Sequence, residues 1–295
     1  MLTALLVVLI GGTGAAAGQP EPAQCRSGTT PVVAPVEIVL PDDDPFAPPI
    51  AGAGEPRISL SSVRTHLSGA SAASRGGPRN FTPGVVSGGA VFGLWAREQG
   101  CDTVQVSLLG GVFAQFQMDT PSQDLINSDF VIGGQVTHRR GPVSARLRIY
   151  HQSSHLGDEF VLRNPRVTRV NFGFQAVDGL VSFDRDRWRV YAGGGARFFS
   201  HAELSPGVLQ GGVEAGQHPT TRGRRPHLVG ALDVTAHQGL DWRRATSAAA
   251  GLEWSGSTSA RRMRVLVVAF KGPTFWGQFF DEEMRHAGVQ LQFEF

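Results

Sequence analysis

"TVQVSLLGGVFAQFQ", residues 103–117, alternates two kinds of side chain. Val104, Val106, Leu108, Val112, Ala114 and Phe116 are apolar, whereas Gln105, Ser107, Gln115 and Gln117 are polar. Successive side chains of a strand point to opposite faces, so this stretch is a strand with one apolar and one polar face. The pattern returns downstream. Phe130, Ile132 and Val136 alternate with Asp129, Gln135 and Thr137; Val143, Ala145, Leu147 and Ile149 alternate with Ser144, Arg146, Arg148 and Tyr150.

About twelve such segments are expected, near 57–64, 84–97, 103–117, 128–138, 142–153, 166–178, 187–200, 207–216, 226–236, 243–254, 261–270 and 286–295. An even count suits an all-β, closed antiparallel transmembrane β-barrel. Turn lengths largely agree: "EQGCD", "RRG", "DRD" and "SGSTS" follow even strands, with "HPTTRGRRP" the longest of that set, and the longer "THLSGASAASRGGPRNFTP" and "GPTFWGQFFDEEM" follow odd ones. Short periplasmic turns and long external loops give that asymmetry.

No stretch carries the long 3.6-residue period of a sizeable helix, and 38 glycines suit many strands joined by sharp turns. A net charge of +2, with arginines scattered at strand spacing, excludes a nucleic-acid footprint. Arg146, Arg148, Arg169, Arg187, Arg189, Arg262 and Arg264 share the polar parity with Asp129, Glu214, Asp233, Glu253 and Glu294. Charges of both signs in a narrow lumen pair, which favours a plugged interior over an open pore.

The first residues, "MLTALLVVLIGGTGAAAG", read as a secretory signal over 1–17, with Ala15 and Ala17 as the cleavage site. Residues 18–56 form a proline-rich periplasmic lead-in or plug, in which "LPDDDPFAPPIAGAGEP" is too broken by proline to hold a ladder, and 57–295 the barrel. Of the two cysteines, Cys25 lies in the lead-in and Cys101 in a periplasmic turn, so a bridge is expected; two free thiols are the alternative.

The segment "RIYHQSSHLGDEF", 148–160, breaks the apolar row. Parity carries His151 and Ser153 onto the lipid-facing side, with Gln152 and Ser154 facing the lumen. Polar groups facing lipid are costly, which makes them a candidate site. Nucleophilic catalysis needs a base beside a hydroxyl and a third group to orient the base. Asn164, placed on the rising side of the sixth strand, is the expected third member, with Asp158 and Glu159 as substitutes.

A histidine two residues before a serine on a twelve-strand barrel resembles the outer-membrane phospholipase A family and, more distantly, the lipid A deacylases. The resemblance implies His151 as base and Ser153 as nucleophile toward a lipid ester. Here Ser154 and His155 follow the serine, where the phospholipases usually continue with asparagine and glycine. The last strand, "HAGVQLQFEF", ends on Phe295, similar to the terminal signal of outer-membrane barrels. That implies export to the bacterial outer membrane through the barrel-assembly machinery. "YHQSSHLGDEF", with "FAPPIAGAGEPRISL" and "GLWARE", looks like the bacterial family catalogued as domain of unknown function twelve-oh-seven, which implies an outer-membrane barrel and supplies no activity.

Other readings stay open. Ca²⁺ held by Asp158 and Glu159 is the one cofactor these residues suit, since hard oxygen ligands fit it. A transition-metal site of His151, His155, Asp158 and Glu159 would need helical spacing that a strand lacks. The polar residues also serve a non-enzymatic barrel with a structural, binding or narrow transport role, by capping the rim. Outer-membrane lipids are the expected partners, with a homodimer as an open alternative.

Overall fold

The alternating segments pair edge to edge until the sheet meets itself. In the computed structural model the strands, in chain order, are β1 (Val36–Val39), β2 (Ile58–Ser68), β3 (Asn80–Phe81), β4 (Pro83–Gln99), β5 (Asp102–Gln117), β6 (Leu125–Arg140), β7 (Val143–Leu156), β8 (Phe172–Arg185), β9 (Trp188–Phe198), β10 (Gly207–Ala215), β11 (His227–His237), β12 (Arg244–Ser255), β13 (Arg262–Pro273) and β14 (Glu283–Glu294). A six-residue helix, α1 (Asp158–Arg163), follows β7. The structure describes residues 34–68, 80–185, 187–200, 205–216, 226–256 and 261–294. The expected signal sequence, Cys25 and Phe295 lie outside them.

Setting aside the short β1 and β3, neighbours from β4 to β14 pair antiparallel in chain order. β14 then pairs with β2 from Phe293↔Ile58 to Glu283↔Ser68, and β2 closes the ring on β4 at Ser59↔Ser87. The barrel therefore has twelve strands, as expected from the period-two count. Closure leaves no sheet edge among these strands.

Burial follows the parity read from sequence. Along β5, Val104, Val106, Leu108 and Val112 are exposed, while Gln105, Ser107 and Gln115 are buried. Along β7, Leu147 and Ile149 are exposed, while Ser144, Arg146 and Arg148 are buried. Apolar outside and polar inside is the inverse of a water-soluble barrel, and only lipid removes that apolar band from water. Exposed aromatic residues near the strand ends are Phe183 and Trp188 at one rim and Phe199 and Trp242 at the other, while Phe92 and Phe130 lie within β4 and β6. Rings at the rims settle at headgroup level.

Within the lead-in Val36–Val39 lies between prolines and pairs with Trp95–Glu98 of β4, while residues 40–56 hold no strand. Two expectations are corrected. The sixth barrel strand begins at Phe172, not near 166, because α1 and the turn after it use up the intervening chain. Arg169 and Arg187 precede their strands and do not face the lumen; Arg169 instead pairs with Asp158 at 2.5 Å. Cys101 is disulfide-bonded in the turn between β4 and β5.

Candidate functional site

Two groups of side chains stand out, one outside the barrel wall and one inside it. On the outside, β7 continues its apolar row Leu147, Ile149 into His151 and Ser153, both half-buried. Register sets His151 between Ile132 of β6 and Gln175 of β8, and Ser153 between Phe130 and Gly173. The Gln175 amide nitrogen lies 3.5 Å from Nδ1 of His151. Its Oε1 is buried without a partner. Amide oxygen and nitrogen are exchanged by a half-turn, and that turn brings Oε1 to accept from Nδ1–H, leaving the Nε2 lone pair of His151 free to act as a base.

Ser153 and His151 are consecutive on one strand face, about 7 Å apart at Cα, and among the described residues no hydrogen bond joins them. Closing that gap takes a change of side-chain rotamer, which ligand-free sites commonly require. His155 continues the same row and packs edge-on against Phe130, ring centres 5.9 Å apart. The alternate residues turn inward as expected. Ser154 is buried and donates to Asp129, whose other oxygen accepts from the Gly277 N–H at 2.9 Å.

Inside the wall, residues 44–57 thread the lumen. The chain leaves β1 at Leu40, whose N–H donates to Leu94 O at 3.1 Å, at the bulge of β4. Two inward glycines of β4 make room for it. A Cβ on Gly93 would sit 2.6 Å from Pro41 O, and one on Gly89 would sit 3.2 Å from Arg57 N, so the wall is bare where the plug enters and leaves. Phe46 is buried against Leu180 and Tyr191, under the guanidiniums of Arg189 at 4.6 Å and Arg146 at 4.9 Å. Ile50 N–H donates to Glu214 at 2.6 Å, and Arg57 donates to Ile50 O at 3.0 Å and to Gln292 at 3.1 Å. Glu55 accepts two bonds from Arg146, at 2.8 and 2.9 Å, and a longer one from Arg148 at 3.3 Å. Burial pushes the Glu55 carboxyl up, but Arg146 and Arg148 outweigh it and hold it down at about 2.

The other end of the lumen is covered by apolar side chains. Trp276 and Phe279, from the loop after β13, join Phe160 of α1, Phe113 and Phe270 in one buried cluster. Gln278 fastens that loop, donating to Ser154 O at 2.7 Å and Val170 O at 2.9 Å. Between plug and cap lies a cavity of about 90 Å³, bounded by Glu55, Arg57, Ser247, Trp276 and His286 among others.

The family described as "Protein of unknown function (DUF1207)" matches residues 28–295. The chain belongs to this family. No curated protein matches it. Solved structures with a likeness include a BenF-like porin from Pseudomonas fluorescens Pf-5, at 8% identity and TM-score 0.30, over 81% of this chain and 99% of that one. OccK5 (OpdH) of Pseudomonas aeruginosa gives 6% identity and TM-score 0.29, over 80% of this chain and 96% of that one. OccAB3 of Acinetobacter baumannii gives 7% identity and TM-score 0.28, over 81% and 98%.

Within this member of DUF1207 the remaining expected site residues scatter. Asn164 is not on the sixth strand: it ends α1, and its amide donates to Phe160 O at 2.8 Å. It therefore serves the helix end, and Gln175 is the residue that meets His151. Register alone could have found Gln175, since the position opposite His151 depends on where β8 starts. Asp158 and Glu159 open α1, with Asp158 ion-paired to Arg169. Ca²⁺ takes six to eight oxygens; two carboxylates, one already held by an arginine, do not fit it. Among the described residues no group of three or more His, Cys, Asp or Glu side chains is placed to hold a metal ion.

Proposed function

We propose that this chain is an integral outer-membrane barrel whose lumen is sealed and whose chemistry lies on its lipid-facing wall, as a serine esterase of outer-leaflet lipids. The observation that carries this reading is the contact between Gln175 and His151 beside Ser153, a polar group set into an apolar, outward row. The apolar exterior and aromatic rims support a membrane setting. The sealed lumen argues against an open pore as the working part.

In this reading Nε2 of His151 takes the proton as Ser153 Oγ attacks the ester carbonyl. The proton then passes to the departing alcohol, leaving an acyl-serine that water hydrolyses with the same base. Gln175 is a positioning residue: its carbonyl fixes the imidazole tautomer from behind. Apolar neighbours such as Ile132 and Phe130 would seat acyl chains, since both face outward beside the pair.

Purified barrel in mixed micelles, assayed for fatty-acid release from phospholipid and lipid A esters, tests the proposal. Ser153→Ala and His151→Ala are each expected to cut release by about a thousandfold or more, with the heat-modifiable folded band intact. Gln175→Ala is expected to lower kcat with little change in KM, and Gln175→Asn to recover part of it. Release that survives Ser153→Ala, or no release by the wild-type chain, rejects the esterase and leaves the polar row as a rim cap.

A further inference from the structure

Among the described residues Glu55 is the only carboxylate in direct ion-pair contact with Arg146, with Asp44 of the same plug acting on it at longer range. By contrast Arg148 keeps Asp178 of the wall at 2.9 Å, and Arg189 keeps Glu214 at 3.2 Å. Arg146 therefore takes its ion-pair partner from the plug alone, and its Nε is buried without a partner. Its fork meets Glu55 in the two-point geometry by which guanidinium groups bind free carboxylates. Behind Glu55 the lumen is not filled, because the cavity has Glu55 and Arg57 in its lining.

We infer that Arg146 and Arg148 form a carboxylate-binding site on the lumen wall, that Glu55 is its tethered occupant, and that small free carboxylates take its place when the plug withdraws. The ligand's carboxylate would replace that of Glu55, and its remainder would extend into the cavity. The wall there suits an uncharged or aromatic remainder, with the hydroxyls of Ser59, Ser61 and Ser247 on one side and Phe270 and Trp276 above. Phe46 adds to the latch, because its ring covers Arg146 and Arg189 and leaves with the same segment. The plug then acts as a competitor built into the chain. This inference does not depend on the esterase reading, since none of its residues faces outward.

Chemical rescue tests it on the full-length folded barrel. Glu55→Ala empties the position between the two arginines, so its thermal midpoint is expected to fall. Acetate, propionate or benzoate should return the midpoint toward the wild-type value in a saturable way, whereas acetamide and chloride at equal ionic strength should not. Neither the wild type, whose site is filled, nor Glu55→Ala with Arg146→Gln should respond. Carboxylates that act no better than chloride, or that act equally without Arg146, overturn the inference. If Glu55→Ala does not assemble, Glu55→Gln, which keeps the side-chain volume, is combined with Gln278→Ala, which releases the cap, and recorded in planar bilayers. Anion-preferring openings that benzoate blocks support the site, and a silent, cation-preferring or benzoate-indifferent barrel overturns it.

Discussion

At the scale of the residue, the interior of this barrel depends on arginines and on what covers them. Phe46 is the clearest case: a single aromatic side chain from a proline-rich segment is buried between two guanidinium groups. Truncating a buried phenylalanine costs about 3–5 kcal/mol, and each cation–π face lost adds about 0.5–2 kcal/mol. Phe46→Ala is therefore expected to free the plug before it unfolds the wall, since no strand residue changes. Limited proteolysis would show cleavage within residues 41–57 at protease levels that leave wild type uncut, with the barrel core resistant. Equal resistance in both would mean the plug is held elsewhere. Nothing in "DPFAPP" announces this role, because the partners of Phe46, among them Arg146, Leu180 and Arg189, come from the distant strands β7 to β9. The outward pair is the reverse case: His151 and Ser153 were legible by parity, since a period of two needs no partner strand. Gln175 was not, because cross-strand neighbours follow from register.

At the scale of the element, the strands were legible and the short pieces between them were not. Long alternating runs such as β5 carry many residues of one pattern, whereas α1 has six residues and too few turns to show a period. The place of the plug stays open in the sequence for another reason: proline excludes a central strand, but it does not say whether a segment lies under the barrel or within it. Its position makes its docking pH-dependent. Burial is the main cause raising the Asp44 carboxyl, to about 6, against the Phe46 N–H bond that favours its charge. Undocked, Asp44 returns to the ordinary value near 3.8. The docked plug thus binds more protons between those values, and docking strengthens as pH falls from about 7 toward 4. Glu55 has the opposite sign: it is held at about 2 against 4.5 when free, so its contribution is full above 4.5 and is lost as pH falls through 2. Protease protection of the plug should therefore rise on mild acidification and fall in strong acid. Asp44→Asn should remove the rise and keep the fall; a flat profile in wild type would show that neither carboxyl reports docking.

At the scale of the whole molecule, the described residues obstruct the lumen at two levels, and by different chemistry. The plug closes one end with charge pairs and backbone hydrogen bonds to wall arginines, Glu214 and Gln292. The loop after β13, with α1, closes the other with a buried cluster of Trp276, Phe279, Phe160 and their neighbours. The cap's apolar contacts do not weaken with salt, and the plug's buried charge pairs are screened far less than exposed ones. Twelve strands already leave a narrow interior once side chains fill it. The wild-type chain in a planar bilayer is therefore expected to show no large, steady conductance, in low or high salt, because either closure alone suffices to block the path. Removing one closure should not open it. Phe46→Ala should stay silent while the cap holds, and it should conduct only when Gln278→Ala also releases the loop from Ser154 and Val170. Steady wild-type channels would contradict the double seal, and a conducting Phe46→Ala with an intact loop would show that the apolar cap is permeable on its own.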